Sequence, residues 1–326
     1  MKFSKITALA ATAVLVAAPA FAAELKFANF TPPFHTVNAS VIEKLNADLS
    51  AATGGELTVR GYHGGELGAG PVEQYVRAVQ GVAEITWGLP GYTSSQFGKT
   101  MIVELPDTLD LDEPGYEALW AAYDDHLAGE FPGTKPLALW TSEPNVLIMK
   151  EKVIRTPADM AGLKVRVAGA TAAKVAEALG ATPVQMPINQ VYNSMQTGLI
   201  DGVITGSSVL KDFKIAEVTG SITTGANLGR LAFFAVMGQG SYDALSDEEK
   251  AAVDAASGVG LSQSAEEAWR EKAVASMEEA RAADGITVVD LSPEDAAAFA
   301  EAVATVRDDY VASVDGADAL AAMQGN

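Results

Sequence analysis

Two hydrophobic periods follow one another along the chain. Residues 25–30, LKFANF, alternate between apolar and polar side chains, which is typical of a half-buried strand. Residues 37–49 carry a valine or leucine at every fourth position, which predicts a helix. The order of strand, helix and strand recurs at 56–62, 71–79 and 83–88. Strands that alternate with helices predict an α/β fold.

A second series of strands and helices begins near residue 137. Residues 156–159, TPAD, are a helix start, because threonine suits the N-cap, proline the first helical position and an acid the third. Residues 164–167 then read KVRV, a strand with Arg166 among apolar neighbours. The other elements of this series are strands at 137–140, 146–149, 182–186 and 202–204 and helices at 172–179 and 189–197. We therefore expect a second α/β unit.

A long helix is predicted near the C-terminus. Residues 246–249, SDEE, form a capping box that opens an Ala/Glu-rich stretch reaching about Ala283. An uninterrupted helix of this length would measure more than about 50 Å, so it is expected to span two domains. A strand at 287–289 and a final helix at 293–313 follow. The mature chain of about 300 residues is long enough for two domains with cores of their own.

The N-terminal segment predicts a secretory signal peptide at residues 1–23. Two lysines, an uncharged Ala/Val/Leu run and the AFA cleavage pattern support cleavage after residue 22 or 23. A membrane anchor is the alternative, but the apolar run is shorter than the roughly 20 residues of a spanning helix. The chain contains no cysteine, which excludes a lipoprotein anchor beside the cleavage site. We therefore expect a periplasmic protein that is not itself embedded in the membrane.

Composition and motifs exclude several classes of function. The net charge is −20, or −22 without Lys2 and Lys5, which disfavours nucleic acid and anionic lipid as partners. The absence of cysteine excludes disulfides and thiolate metal sites. The three histidines lie far apart, and no phosphate-binding loop, dinucleotide fingerprint or serine-hydrolase motif occurs. The sequence therefore predicts no metal, no cofactor and no enzymatic activity.

Five segments resemble one protein family in order and spacing. They are LKFANFTPPFHT, LSAATGGELTVRGYHGGELGAG, AVQGVAEITWGLPGY, TPADMAGLKVRV and EALGATPVQMPINQVYNSMQTGLIDGVI. The chain resembles the periplasmic, C4-dicarboxylate-binding-protein-like substrate-binding proteins of tripartite ATP-independent (TRAP) transporters over nearly its whole mature length. The resemblance implies two α/β domains joined at a hinge, bridged by a long helix and closing over one small organic acid. It also implies delivery of that acid to TRAP membrane permease subunits.

The two expected domains are discontinuous. Domain I is predicted to comprise residues 24–143 and 232–271, and domain II residues 144–231 and 272–326. The chain is expected to cross between them near Asn145 and near residues 230–231. We expect a monomer.

Arg166 is the principal candidate for ligand binding. The resemblance implies that the arginine of the GLKVRV strand holds the carboxylate of the ligand. A guanidinium suits this role because it forms two parallel bonds to a carboxylate and keeps its charge when it is desolvated. The alternative is that Lys164 and Arg166 form the solvent face of an alternating strand, which the residue pattern alone would favour.

Two departures from the family pattern bear on the substrate. Many relatives carry a second arginine about twenty residues before the first, whereas residues 140–146 here read WTSEPNV without a basic residue. Many also carry the pattern DGxEN, whereas residues 201–207 read DGVITGS. Both changes remove charge from the expected cleft, so a monocarboxylate is predicted.

Further ligand contacts are expected where strands end, because α/β domains bind ligands there. Aromatic side chains would offer apolar faces, and Thr205 and Ser207 could bond a hydroxyl or keto oxygen. Core packing is the alternative for Trp87 and Tyr92, and a surface loop position is the alternative for His35. The candidate contacts besides Arg166 are Asn29, Phe34, His35, Trp87, Tyr92, Trp140, Asn145, Met186, Thr205, Ser207 and Phe233.

Three functions remain open from the sequence. A solute-binding protein for transport is favoured. A ligand-sensing partner of a membrane receptor would use the same fold, and adjacent permease or sensor-kinase genes would distinguish the two. A periplasmic hydrolase or isomerase would need a nucleophile or base beside Arg166, and the sequence offers none.

Overall fold

The predicted alternation of strands and helices forms two separate sheets. The computed structural model describes residues 23–325, so residues 1–22 of the expected signal peptide lie outside the described residues. The eleven strands of this part are β1 Ala23–Ala28, β2 Leu57–Tyr62, β3 Ile85–Gly88, β4 Thr134–Thr141, β5 Asn145–Met149, β6 Lys164–Val167, β7 Thr182–Gln185, β8 Gly202–Gly206, β9 Ser221–Thr224, β10 Ala232–Gly238 and β11 Thr287–Asp290.

Twelve α-helices accompany these strands in residues 23–325. They are α1 Lys44–Ala52, α2 Gln74–Val79, α3 Gly115–Ala122, α4 Ala170–Ala178, α5 Val191–Thr197, α6 Val209–Asp212, α7 Gln239–Asp243, α8 Asp247–Ala256, α9 Val259–Ala282, α10 Pro293–Val303, α11 Val306–Ser313 and α12 Ala317–Met323. A wider helical turn, Asn38–Glu43, leads into α1. No helix in this range is long and apolar enough to cross a membrane.

Each sheet has a parallel part and one antiparallel strand. The first sheet has the order β2-β1-β3-β10-β4, with β10 antiparallel to both of its neighbours. The second has the order β11-β9-β5-β8-β6-β7, with β5 antiparallel to β8 and β9. We call the first sheet with its packed helices the first lobe and the second sheet with its helices the second lobe. The expected two-part α/β fold is confirmed.

The chain passes between the lobes through two connections that lie side by side. Residues 142–144 lead from β4 to β5, and residues 225–231 lead from β9 back to β10. The Ser142 amide donates to the Leu231 carbonyl, and the Asn145 amide donates to the Gly229 carbonyl, each at 2.8 Å. These paired connections lie at the two positions where the chain was expected to cross between the domains, near Asn145 and near residues 230–231.

The predicted long helix is present over 247–282 but is divided. Gly258 has a φ of +78°, a left-handed conformation that glycine adopts readily, and it separates α8 from α9. Its amide donates to the Leu137 carbonyl at 2.7 Å instead of continuing the helix. The 24 residues of α9 pack against β4 and α3 of the first lobe and α6 and β11 of the second. The bridge between the lobes is therefore α9.

The C-terminal segment also differs from the single helix predicted at 293–313. That region forms α10 and α11, and the additional helix α12 packs against α3 of the first lobe. The domain boundaries stay a prediction. Domain II was expected to extend to residue 326, whereas α12 packs against a helix of the first lobe.

Candidate functional site

A cavity lies between the two lobes, where the parallel strands of both sheets end. It is reached by the segments after β1 and β3, by β6 and by the end of β8. The space between its walls, counted together with the solvent at its mouth, is about 440 Å³. This position matches the general rule that α/β sheets bind ligands at the carboxyl ends of their strands.

Arg166 reaches this cavity from β6. Along β6 the side chain of Lys164 is exposed, whereas Arg166 is only 1% exposed. The two residues therefore do not share a solvated face. The Arg166 Nε donates to the Met186 carbonyl at 2.9 Å, and an Nη contacts the Tyr92 hydroxyl at 3.5 Å. Among residues 23–325 no carboxylate pairs with this guanidinium.

Burial dominates the electrostatics around Arg166. Desolvation lowers the pKa of Arg166, and the neighbouring Tyr92 hydroxyl opposes this shift. Burial likewise raises the pKa of Tyr92, while Arg166 and the Ile188 amide, which donates to the Tyr92 hydroxyl at 3.0 Å, lower it. A desolvated cation with only neutral partners attracts an anion strongly, because burial has already removed most of its competing water.

Four aromatic side chains from the first lobe and α9 line the cavity. We call Phe30, Trp87, Phe233 and Trp269 the aromatic wall. Phe30 stacks on Trp87 with 4.6 Å between ring centroids, and Phe233 lies 5.3 Å from Trp269. Such faces favour a planar apolar group.

The second lobe supplies most of the polar groups. We call Arg166, Thr205, Ser208 and Asp212 the polar wall. All four are buried. Glu143 supports this wall from behind, because its Oε1 accepts from the Ser208 amide at 2.6 Å. Burial raises the pKa of Glu143 to about 7, against the opposing effect of the Ser208 hydrogen bonds.

A histidine and an acid face each other across the lobes. The Nδ1 of His35 accepts from the Val37 amide at 3.1 Å, which assigns the ring proton to Nε2. Nε2 lies 3.7 Å from Oδ2 of Asp212. That Oδ2 accepts from the Thr36 hydroxyl at 2.8 Å, and Lys272 Nζ lies 3.5 Å from Oδ1. Burial lowers the pKa of His35 to about 4, although Asp212 opposes the shift.

Six of the twelve candidate residues line the cavity together. They are His35, Trp87, Tyr92, Arg166, Thr205 and Phe233. Trp87 and Phe233 are at the same time buried in the core. His35 is 4% exposed, so the surface loop position considered for it is wrong.

The other six candidates lie outside the cavity lining. Two of them hold lining residues in place: Asn29 Oδ1 accepts from Trp87 Nε1 at 2.8 Å, and Met186 provides the carbonyl that binds Arg166. Trp140 is a core residue stacked on Phe233. The side chain of Phe34 is 58% exposed. Asn145 and Ser207 line a separate groove beside the connections between the lobes.

Several lining residues were not among the predicted contacts. Trp269 lies in a helix whose acidic, alanine-rich composition points to a solvated surface. Asp212 and Phe213 follow β8 by a few residues, so the rule about strand ends could have found them. Among residues 23–325 no group of three or more histidines or acids could hold a metal ion.

Comparison with known proteins identifies similar sequences and structures. Residues 27–313 match the family described as bacterial extracellular solute-binding protein, family 7, DctP. A marine metagenome TRAP solute-binding protein described as specific for aromatic acid ligands, from an unidentified microbe, was solved with 3-hydroxybenzoate. It has a TM-score of 0.88 and 30% identity, covering 94% of this chain and 98% of that one.

Two further relatives extend the comparison. A TRAP solute-binding protein from Rhodoferax ferrireducens T118, solved with copurified benzoate, has a TM-score of 0.84 and 27% identity, covering 93% of this chain and 97% of its own. The ectoine-binding periplasmic protein TeaA of Halomonas elongata is 25% identical over 264 residues, which is 78% of this chain and 75% of TeaA.

Proposed function

Because the chain belongs to the bacterial extracellular solute-binding protein family 7, the DctP family, we propose that it captures a small aromatic monocarboxylate for uptake by a TRAP transporter. The family consists of solute-binding proteins of transport systems, and this chain has its two-lobed α/β fold. The proposal includes a periplasmic location, a cleaved signal peptide at residues 1–23 and TRAP permease subunits as partners. It also includes action as a monomer.

The observation that carries the substrate class is the combination of one cation with the aromatic wall. Arg166 is the arginine that lines the cavity, and its guanidinium has no acidic partner among residues 23–325. A second carboxylate would be placed near Asp212 or the aromatic wall, where the described residues offer no free cation to compensate its desolvation, at a cost of several kcal/mol. An aromatic ring fits the wall and needs no polar partner. Binding of 3-hydroxybenzoate and benzoate by two similar proteins agrees with this class.

A panel of ligands tests the substrate class. Melting temperatures are measured with benzoate, mandelate and phenylacetate and, in parallel, with succinate, malate and fumarate. A ligand at about 100 times its Kd adds roughly 2.7 kcal/mol of stability, which raises the melting temperature by several degrees. We expect at least one aromatic monocarboxylate to do so. If the dicarboxylates alone raise it, the proposed class is wrong.

Closure of the lobes over the ligand is the proposed binding mechanism. Several contacts already cross between the lobes, such as the Tyr92 hydroxyl with the Ile188 amide and Thr36 with Asp212. Gly91 and Gly169 approach so closely that a Cβ on Gly169 would lie 2.5 Å from the Gly91 Cα. Gly169→Ala should therefore hold the lobes apart and weaken binding.

Small-angle scattering measures this closure directly. The wild-type radius of gyration should fall when a saturating ligand is added, and that of Gly169→Ala should fall less. If the radius of gyration of the wild type is the same with and without ligand, and is already that of the closed form without ligand, the protein does not open at a hinge.

Capture without turnover is also part of the proposal. In the cavity, His35 is held neutral by burial, and the Arg166 guanidinium contacts a tyrosine hydroxyl and a backbone carbonyl. No nucleophile activated by a base is formed there by the described residues. Incubation with each ligand that binds, followed by mass analysis, should return it unchanged, and a new product would overturn this part of the proposal.

A further inference from the structure

Two polar groups of the cavity, the carboxylate of Asp212 and the ring of His35, each have one atom that makes no hydrogen bond to residues 23–325. Asp212 is 2% exposed, and its Oδ1 accepts no hydrogen bond, although Lys272 Nζ lies at an ion-pair distance of 3.5 Å. His35 is 4% exposed and uses its Nδ1 for the Val37 amide. The remaining Nε2–H lies 3.7 Å from Asp212 Oδ2, which is too long for a direct hydrogen bond.

We propose that His35 and Asp212 form a hydroxyl-binding subsite, so that the ligand carries a hydroxyl group in addition to the carboxylate bound by Arg166. This inference rests on the proposed function, because it assigns a second contact within the same cavity. A hydroxyl donates one hydrogen bond and accepts another. It therefore satisfies the acceptor Oδ1 of Asp212 and the donor Nε2–H of His35 together.

Other ligand groups match this pair less well. A carboxylate would be repelled by Asp212. An ammonium could donate to Asp212 but would leave the Nε2–H of His35 without an acceptor, since an ammonium has none. Lys272 already pairs with Asp212 and would repel a second cation. A neutral hydroxyl avoids both penalties.

The subsite is separate from the carboxylate position. The Arg166 guanidinium donates to the Met186 carbonyl and contacts the Tyr92 hydroxyl, whereas the ion-pair contacts of Asp212 among residues 23–325 are with His35 and Lys272. Trp87 and Trp269 of the aromatic wall each lie within about 5.4 Å of the His35 ring, measured between centroids. A ring held against this wall can therefore present a carboxylate to Arg166 and a hydroxyl to the His35–Asp212 pair.

Asp212 also has a structural role that the test must separate. Through Oδ2 it binds the Thr36 hydroxyl, and this contact joins the two lobes. A purely structural acid would affect every ligand by the same factor. A hydroxyl-binding acid affects hydroxylated ligands more. The informative quantity is therefore the ratio of two Kd values, that of benzoate over that of a hydroxybenzoate.

Calorimetric titration of the mature protein with benzoate and the three ring isomers of hydroxybenzoate measures this ratio. For wild type we expect the best isomer to bind about tenfold to a hundredfold tighter than benzoate, the range for a hydrogen bond to a charged group. Asp212→Asn and His35→Phe should each bring the ratio to within about threefold of one, since each loses part of the pair. Thr36→Val keeps both atoms and should weaken all four ligands while preserving the ratio.

The outcomes separate this inference from the proposed function. If benzoate binds and no isomer improves on it, or if the ratio survives in both subsite variants, the inference is wrong and the proposed function stands. If 3-(aminomethyl)benzoate binds more tightly than every hydroxybenzoate, the subsite binds a cation and the inference is also wrong. If none of these acids binds, this inference fails, and the panel that includes mandelate and phenylacetate decides the proposed function.

Discussion

The two walls of the cavity differ in chemistry and in origin. The aromatic wall is built from the core of the first lobe and α9, and its rings pack against one another as core residues do, with Phe30 stacked on Trp87 and Phe233 tilted against Trp269. The polar wall comes from the second lobe and consists of buried groups, among which the Arg166 guanidinium has no acidic partner and Oδ1 of Asp212 has no hydrogen-bond donor within residues 23–325. Core packing stabilises the first wall without ligand, whereas a ligand is needed to complete the second. We infer that affinity for a charged group resides in the polar wall and that shape selection resides in the aromatic wall.

The largest expected effect comes from removing the cation of the polar wall. Arg166→Ala should weaken binding of the monocarboxylate by about thirty-fold to several thousand-fold, or roughly 2 to 5 kcal/mol, because a buried anion loses its partner. Arg166→Lys should recover only part of this loss, since a lysine keeps the charge without the two parallel donors. Calorimetric titration measures both variants.

A second buried arginine provides the matched control. Arg230 is 3% exposed, but its guanidinium donates to the carbonyls of Glu113 and Asp110 at 2.7 and 2.6 Å. Arg230→Ala should lower the melting temperature and change the Kd by less than about threefold. If Arg166→Ala stays within that same factor, the polar wall does not bind the carboxylate.

The next effect concerns Glu143, the buried acid behind the polar wall, and the dependence of protein stability on pH. The pKa of Glu143 is raised from 4.5 to about 7 by burial. Between pH 4.5 and about 7 the folded state holds more protons than the unfolded state, so the free energy of unfolding falls as the pH rises. The stabilisation that protonated Glu143 provides is therefore fully present below pH 4.5 and is lost as the pH rises through about 7. Glu143→Gln lacks this loss and should gain about 1 to 3 kcal/mol over wild type between pH 4.5 and pH 8.

Urea unfolding of the two proteins at pH 4.5 and pH 8 measures this difference. The exposed Glu248 serves as the control, and Glu248→Gln should follow the wild-type dependence on pH. A difference between Glu143→Gln and wild type that is the same at both pH values would contradict the role assigned to Glu143.

The smallest effect is expected at the aromatic wall. Phe233→Leu keeps an apolar side chain but loses the ring, and it should weaken binding of an aromatic acid by about twofold to tenfold, or roughly 0.5 to 1.5 kcal/mol. Phe97→Leu is the control, because Phe97 is a buried ring stacked on Phe234 in the other core cluster. It should lower the melting temperature and leave the Kd unchanged. A Phe233→Leu variant that binds as tightly as wild type would show that the aromatic wall does not contribute to binding of the ligand's ring.

The fold could be predicted from the sequence because its signals are local. Alternation, glycine turns and helix caps identified β1, β2, β3 and the strand that holds Arg166. Local signals failed where tertiary contacts decide, as at Gly258, whose amide bonds Leu137 and divides the long helix.

The candidate site was predictable only in part. Arg166 was found through the family resemblance, since alternation alone places it on the solvent face with Lys164. Trp140 and Trp87 follow similar strand patterns, yet Trp87 lines the cavity and Trp140 lies in the core. Trp269 joins the site because α9 bridges the lobes, which no local pattern records, whereas Asp212 follows the end of β8 and was missed although the rule about strand ends applies to it.

The most direct measurement of the central claim is a crystal structure of the protein with bound benzoate. The account predicts that the carboxylate oxygens lie about 2.8 Å from two nitrogens of the Arg166 guanidinium. It also predicts that the ring packs against Trp87, Phe233 and Trp269. A benzoate whose carboxylate is held elsewhere, while Arg166 keeps only Met186 and Tyr92 as partners, would contradict the account.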